Sequence, residues 1–157
     1  MTLPHANPRW DWVLTGALWV GRWVIILPLN WLAAEKGQPV GAEATTNINL
    51  FSLFVLLVIA APIFETLIEC SLPWWILSRF MRPVFAPIFI IISAVVMAVL
   101  HLVSPMAVLN ALITGAFIAG AYALASRRRQ LDAFVHATAF HGAINLVGWV
   151  MILCGWT

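Results

Sequence analysis

Five apolar segments, each about as long as a bilayer is thick, restrict what this chain can fold into. A membrane-spanning helix needs about 20 predominantly apolar residues, each adding about 1.5 Å of rise. The segments run from about Trp10 to Ala34, Ile48 to Leu77, Val84 to Val103, Met106 to Ala125 and Leu131 to Trp156. We therefore predict an all-α fold, a polytopic transmembrane helical bundle of about five spanning helices.

Composition supports lipid as the solvent for most of the chain. Of 157 residues, 63% are hydrophobic and 9% are charged, whereas a soluble domain is about half apolar and about one quarter charged. We expect one membrane domain over residues 1–157, with membrane lipid as a partner. The formal charge of +2 gives no argument for nucleic acid. Cys70 and Cys154 lie in different apolar segments, so we expect both to be reduced and buried.

The basic residues predict an orientation. With five spans, the N-terminus and the turns at 78–83 and 126–130 share one side of the membrane. The other side has only Lys36. Because short cytoplasmic loops are enriched in Lys and Arg, we expect a cytoplasmic N-terminus. The arginines on that predicted side are Arg9, Arg79, Arg82, Arg127, Arg128 and Arg129.

A few strongly polar side chains lie within these apolar segments, and each needs a physical reason because burying it in lipid is costly. Glu65 is about 14 residues, roughly 21 Å of helix, from Arg79. His101 belongs to the third segment, and His141 and Asn145 lie four residues apart on one face of the last. Three helices are thus expected to bring these four residues to a similar depth.

This combination suits hydrolysis of an amide. A carboxylate close to an imidazole can take a proton from water, and an amide N–H can stabilise an oxyanion. Structural roles remain open for the single residues, because Glu65 could be the counter-ion of Arg22. The pair His141 and Asn145 could hold helices together by hydrogen bonds.

Three short motifs resemble those of the CAAX-protease and bacteriocin-processing (CPBP) intramembrane proteases. Residues 61–70 (APIFETLIEC) resemble the Glu-Thr variant of the first motif, with Glu65 leading. Residues 93–102 (SAVVMAVLHL) match the histidine of the second motif at His101, with Met97 in place of its aromatic residue. His141-Gly-Ala-Ile-Asn145 matches the third motif. The resemblance covers roughly residues 58–150.

The resemblance implies a glutamate-dependent peptidase that cuts a membrane-associated peptide or protein. Glu65 would activate water with help from His101, while His141 and Asn145 would stabilise the oxyanion. Thr66 belongs to the first motif, but Cys70 stands where the family has Arg or Gln. Glu69 could substitute as a supporting residue. The motif does not require a metal, although Glu65, His101 and His141 could hold Zn²⁺ with a fourth position open.

Two other classes of function remain alternatives. A non-catalytic CPBP-like membrane protein, with an immunity or adaptor role, would keep the fold and bind a peptide or partner. An ion or proton conduit would need polar groups across the whole membrane, yet the last segment ends in LVGWVMILCGW, which has no charged residue. For each of these classes we expect an integral protein of a bacterial inner (plasma) membrane.

Overall fold

The computed structural model describes residues 8–35, 49–80, 85–126 and 129–154, and the regular structure of these residues is entirely helical. Five helices follow in chain order. They are α1 (Pro8–Glu35), α2 (residues 50–80), α3 (Phe85–Leu100), α4 (Pro105–Ala125) and α5 (Gln130–Leu153). The predicted all-α bundle is confirmed, and most predicted helix ends agree to within about three residues.

Four of these helices, all except α3, are long and apolar enough to cross a membrane. Their lipid-facing side chains include Val24, Phe51 and Phe64, which are exposed. In water such an apolar surface would drive aggregation, whereas in a bilayer it is solvated. The chain is therefore an integral membrane protein. The tail that carries His5, and Lys36, Arg82, Arg127, Arg128 and Trp156, lie outside the described residues, so the orientation stays a prediction.

Helix α2 accommodates two prolines without ending. Its α-helical stretches Leu50–Phe54, Ala61–Thr66 and Leu72–Phe80 alternate with the π-helical stretches Val55–Ala60 and Leu67–Ser71. A proline within a helix usually kinks or ends it, and Pro62 and Pro73 both lie within α2. A proline lacks the N–H that closes a helical hydrogen bond, and here the preceding residues adopt the wider π turn. The helix therefore continues through both positions.

Helix α3 is shorter than the predicted segment, which ran to Val103. It ends at Leu100, where the His101 N–H donates to Ala98 O at 3.1 Å in a tight turn. Ser104 then caps α4 by accepting from the Ala107 N–H. With 16 residues, α3 is about 24 Å long, less than the hydrocarbon core of about 30 Å. His101 thus lies in the turn between α3 and α4.

Helix α4 is the centre of the bundle and packs against each of the other four helices. Small side chains permit this, because alanine and glycine allow helix backbones to approach closely without an apolar driving force. Beside them Tyr122 packs with Trp74 and Phe89, ring centroids 5.6 Å away in each case. The small buried residues of α4 are Ala111, Gly115, Ala119, Ala121 and Ala125.

The two cysteines differ in exposure. Cys70 is fully buried, as the sequence predicted. Cys154 is exposed at the end of α5, so the prediction that it is buried was wrong. It follows Leu153, the last residue of α5, whereas the buried residues of that helix end at Ile144. Apolar surroundings in the sequence did not reveal this, because an apolar residue at a helix end can face lipid or solvent.

We predict that Gly115→Ala destabilises the protein by about 1–3 kcal/mol, the usual range for overpacking. An added Cβ would lie 2.7 Å from Met97 Cβ and 3.0 Å from Ala94 Cα. Gly148→Ala is the matched control, since a Cβ there meets no atom within 4 Å. Thermal unfolding in detergent, followed by far-ultraviolet circular dichroism, measures both. Equal melting temperatures for the two variants would contradict the close approach of α3 and α4.

Candidate active site

Glu65 and His141 form the central contact of the polar interior. Glu65 lies on the α-helical stretch of α2 between the two π segments, and His141 lies halfway along α5. His141 Nε2 is 3.2 Å from Glu65 Oε2. The His141 side chain is 2% exposed and that of Glu65 is 25% exposed. The carboxyl group is therefore partly open, while the imidazole contacts it from the enclosed side.

His101 completes a group of three titratable side chains. It reaches the pair from the turn after α3 and is close enough to Glu65 and His141 for electrostatic interaction. Its Nδ1 lies 2.9 Å from Met97 O. That contact orients the ring and leaves Nε2 as the nitrogen available to a substrate or to water. The structure thus places Glu65 and His141 in contact, with His101 within electrostatic range of both.

Asn145 occupies a different position from the one predicted for an oxyanion donor. Its Nδ2 donates to the backbone oxygen of Leu57 on α2, at 2.9 Å. The Ala61 N–H is bound to Leu56 O, and the next residue, Pro62, has no N–H. The Leu57 carbonyl therefore lacks both helical donors that could reach it, and Asn145 supplies one from α5. Gly142, one turn away, lets the α5 backbone approach Val58 O.

Three further polar or sulfur-containing residues of the first motif are enclosed. Thr66, Glu69 and Cys70 are fully buried. Within the described part of the chain, the Thr66 hydroxyl and both Glu69 oxygens have no hydrogen-bond partner. Glu69 faces α4, where a Cβ at Gly115 would come within 3.2 Å of its Oε1. Glu69 is thus near enough to Glu65 for electrostatic repulsion. Glu65, and not Glu69, contacts His141.

Arg22 on α1 is buried within the bundle, at 7% exposure. Its Nε donates to Thr114 Oγ1 on α4 at 3.0 Å, and its guanidinium lies 4.3 Å from the centre of the Trp23 ring. Among the described residues it forms no ion pair with Glu65 or Glu69. Arg22 is therefore not the counter-ion of Glu65 in this structure. The contact with Thr114 ties α1 to the central helix.

A metal would need a different arrangement of donors. Within the described residues, no three His, Cys, Asp or Glu side chains are gathered so that they could hold a metal ion. Glu65 and His141 are in contact, while His101 directs Nδ1 toward its own helix. The set Glu65, His101 and His141 therefore does not fit a zinc site in this geometry.

The sequence did not reveal a second polar link between α1 and α4. Asn110 Nδ2 donates to Asn30 Oδ1 at 2.8 Å. Two asparagines in apolar segments were a usable signal, because an amide in lipid needs a partner. His136 of α5 stacks on Trp12 of α1 with ring centroids 3.7 Å apart. These contacts place α1 against α4 and α5.

No protein-family profile, curated protein or solved structure matches this chain. The site is therefore interpreted from the chemistry and geometry of its own residues.

We predict that Asn145→Ala destabilises the protein by about 1 kcal/mol, since a buried carbonyl then loses its donor. Pro62→Ala restores an N–H in reach of Leu57 O, so the double variant should recover much of this loss. Equilibrium unfolding of both single variants and the double variant measures the coupling. Additive losses would show that the Asn145 amide does not substitute for the donor that Pro62 lacks.

Proposed function

We propose that this integral membrane protein is an intramembrane endopeptidase of the CPBP type, which hydrolyses a peptide bond of a membrane-associated peptide or protein. The observation that carries the proposal is the 3.2 Å contact between Glu65 and His141, midway along two membrane-length helices. Carboxyl and imidazole groups are costly in lipid and are typical of functional sites there. The resemblance of the three motifs adds the reaction class.

In the proposed reaction Glu65 takes a proton from a water molecule as that water attacks the carbonyl carbon of the scissile bond. The carbonyl oxygen becomes an oxyanion in a tetrahedral intermediate. As the intermediate collapses, the C–N bond breaks and Glu65 returns the proton to the leaving amine. The products are a carboxylic acid and an amine, and Glu65 is ready for another turnover. His141, held within the bundle, fixes the position of the Glu65 carboxyl throughout.

The oxyanion needs hydrogen-bond donors near Glu65. His101 fits this role through Nε2, because its Nδ1 is held at Met97 O. The resemblance assigns the role to His141 and Asn145. The Asn145 amide has two N–H groups, and one of them is bound to Leu57 O. For Asn145 to take this role, its other N–H would have to donate to the oxyanion.

A non-catalytic CPBP-like protein, with an immunity or adaptor role, is the second candidate function. Two observations favour it. Cys70, at the position where the family has Arg or Gln, is fully buried and offers no charge to the site. Asn145 is engaged in holding α5 to α2. On this alternative the polar interior binds a peptide or partner protein without cutting it.

We further propose that the protein lies in a bacterial inner (plasma) membrane with its N-terminus in the cytoplasm. The excess of arginine on one side in the sequence supports this orientation. Arg79 at the end of α2 and Arg129 at the start of α5 are both exposed, as residues at a membrane surface would be. Arg79 also covers the Trp75 ring, 3.8 Å from its centre, and arginine and tryptophan are both common at that surface.

The test of the protease proposal is cleavage of a quenched peptide library by the detergent-purified protein. We expect activity in the wild type, a loss of about 10²-fold or more for Glu65→Gln, which removes the base, and a loss for His141→Ala. Parallel reactions with a chelator decide whether a metal takes part. Gly148→Ala, on the same helix and about two turns from His141, controls for detergent stability because an added Cβ there meets no atom within 4 Å. Retained biological function after Glu65→Gln would instead support the immunity or adaptor role.

The proposed orientation predicts selective labelling of Cys154. If all five helices cross the membrane and the N-terminus is cytoplasmic, the exposed Cys154 at the end of α5 lies outside the cytoplasm. A membrane-impermeant maleimide should label it in intact cells, and Cys154→Ser should abolish labelling because Cys70 is buried. Labelling only after the cells are lysed would contradict the five-span topology with a cytoplasmic N-terminus.

A further inference from the structure

A groove of about 680 Å³ lies between α2 and α5, with α4 at its floor. Its wall is mostly apolar. Ser71 and Tyr122 add hydroxyl groups and Gln130 adds an amide. We call it the α2–α5 groove. Ile68 and Leu72, which line it on α2, follow Glu65 by about one and two helical turns, so the groove begins close to the Glu65–His141 pair.

One backbone carbonyl on this wall lacks its helical donor. In the second π segment of α2 the Leu72 N–H donates to Leu67 O. The Ile68 carbonyl would then need the N–H of residue 73, which is Pro73 and has none. Helix geometry places this carbonyl beside the side chains three and four residues ahead, Ser71 and Leu72. Both line the groove.

The first π segment of α2 shows what such a carbonyl requires. Leu57 stands five residues before Pro62, as Ile68 stands five residues before Pro73. Asn145 donates to Leu57 O at 2.9 Å. In the described part of the chain, no side chain gives Ile68 O the bond that Asn145 gives Leu57 O. A carbonyl in an apolar medium without a donor is costly, so a donor from outside the chain is favoured here.

We propose that the α2–α5 groove binds an extended peptide segment, whose backbone N–H donates to the Ile68 carbonyl. This inference rests on the proposed function and names the substrate as a peptide held along α2. An acyl chain also fits an apolar groove, but it has no hydrogen-bond donor to offer. Apolar peptide side chains contact the groove wall, while Ser71 and Gln130 meet further backbone groups. The next part of the segment then reaches Glu65.

Pro73→Ala is the decisive variant, because it supplies an N–H that can close the Ile68 carbonyl from within α2. The probe is a library of short fluorescent peptides with apolar centres, bound to the detergent-purified Glu65→Gln protein and followed by anisotropy. The tightest binder is then remade with single N-methyl groups along its backbone. We expect Pro73→Ala to weaken binding about three- to tenfold, the value of one hydrogen bond. One N-methyl position should produce a similar loss.

Pro62→Ala is the matched control, since Leu57 already has a donor in Asn145 and lies outside the groove. It should leave peptide binding little changed. Melting temperatures are measured in parallel, and Pro73→Ala should melt no lower than the parent protein, because it gains a helical hydrogen bond. Weaker binding by a protein that is equally stable cannot be attributed to misfolding.

The outcomes separate this inference from the proposed function. Unchanged binding in Pro73→Ala, or equal binding of every N-methylated peptide, overturns the inference and identifies the groove as one for lipid. Cleavage by wild type with an unchanged KM in Pro73→Ala overturns it too, while leaving the protease proposal in place. Binding that depends on one N–H, without any cleavage by wild type, supports the groove and overturns the protease proposal.

Discussion

The need of every backbone carbonyl for a donor, in a medium that has no water to offer, governs this structure. A membrane helix satisfies its own carbonyls, and two prolines in α2 interrupt that supply. In each π segment, one before Pro62 and one before Pro73, a single carbonyl is left without a helical donor. α5 satisfies the first of them through Asn145. That hydrogen bond helps to hold α5 against α2, one turn from the contact between His141 and Glu65.

One face of α5 therefore has two tasks, one turn apart. Asn145 holds the backbone of α2, and His141 holds the side chain that α2 presents. Gly142 between them allows the two helices to approach, with Val58 O only 3.1 Å from where a Cβ would lie. Any change that moves α5 along α2 alters the Glu65–His141 distance. The position of the candidate base is thus set by packing as well as by charge.

The sequence predicted the parts of this arrangement that depend on length and polarity. Five apolar segments gave five helices, and the cost of polar groups in lipid singled out Glu65, His101 and His141. The structure places Glu65 and His141 in contact, with His101 within electrostatic range of both. It did not predict the π segments, because the hydrogen-bond register of a helix depends on how neighbours satisfy it. Nor did it predict that α3 ends before His101, since Leu100 and Leu102 are equally apolar and the turn is fixed by the cap at Ser104.

The role of Asn145 was the hardest to infer, for a physical reason. An amide donor one turn from a catalytic histidine and the same amide bound to a backbone carbonyl look identical in sequence. Only the position of Pro62 relative to α5 distinguishes them, and that is a tertiary relation. Arg22 is a similar case, because a buried arginine near two glutamates suggests an ion pair. Instead, the Thr114 hydroxyl accepts a hydrogen bond from the Arg22 guanidinium.

The two proline sites of α2 show how a helix can divide structural and functional work between equivalent positions. A proline stands two residues after the last residue of each π segment. The carbonyl five residues before that proline has no helical donor. The Leu57 carbonyl accepts a hydrogen bond from Asn145 on the neighbouring helix, so it contributes to folding. The Ile68 carbonyl lies beside residues that line the α2–α5 groove. On the neighbouring helix Phe134 and Leu131 have no donor, and in the described part of the chain Gln130, which also lines the groove, forms no hydrogen bond to this carbonyl. The proposed peptide would supply the donor from its backbone.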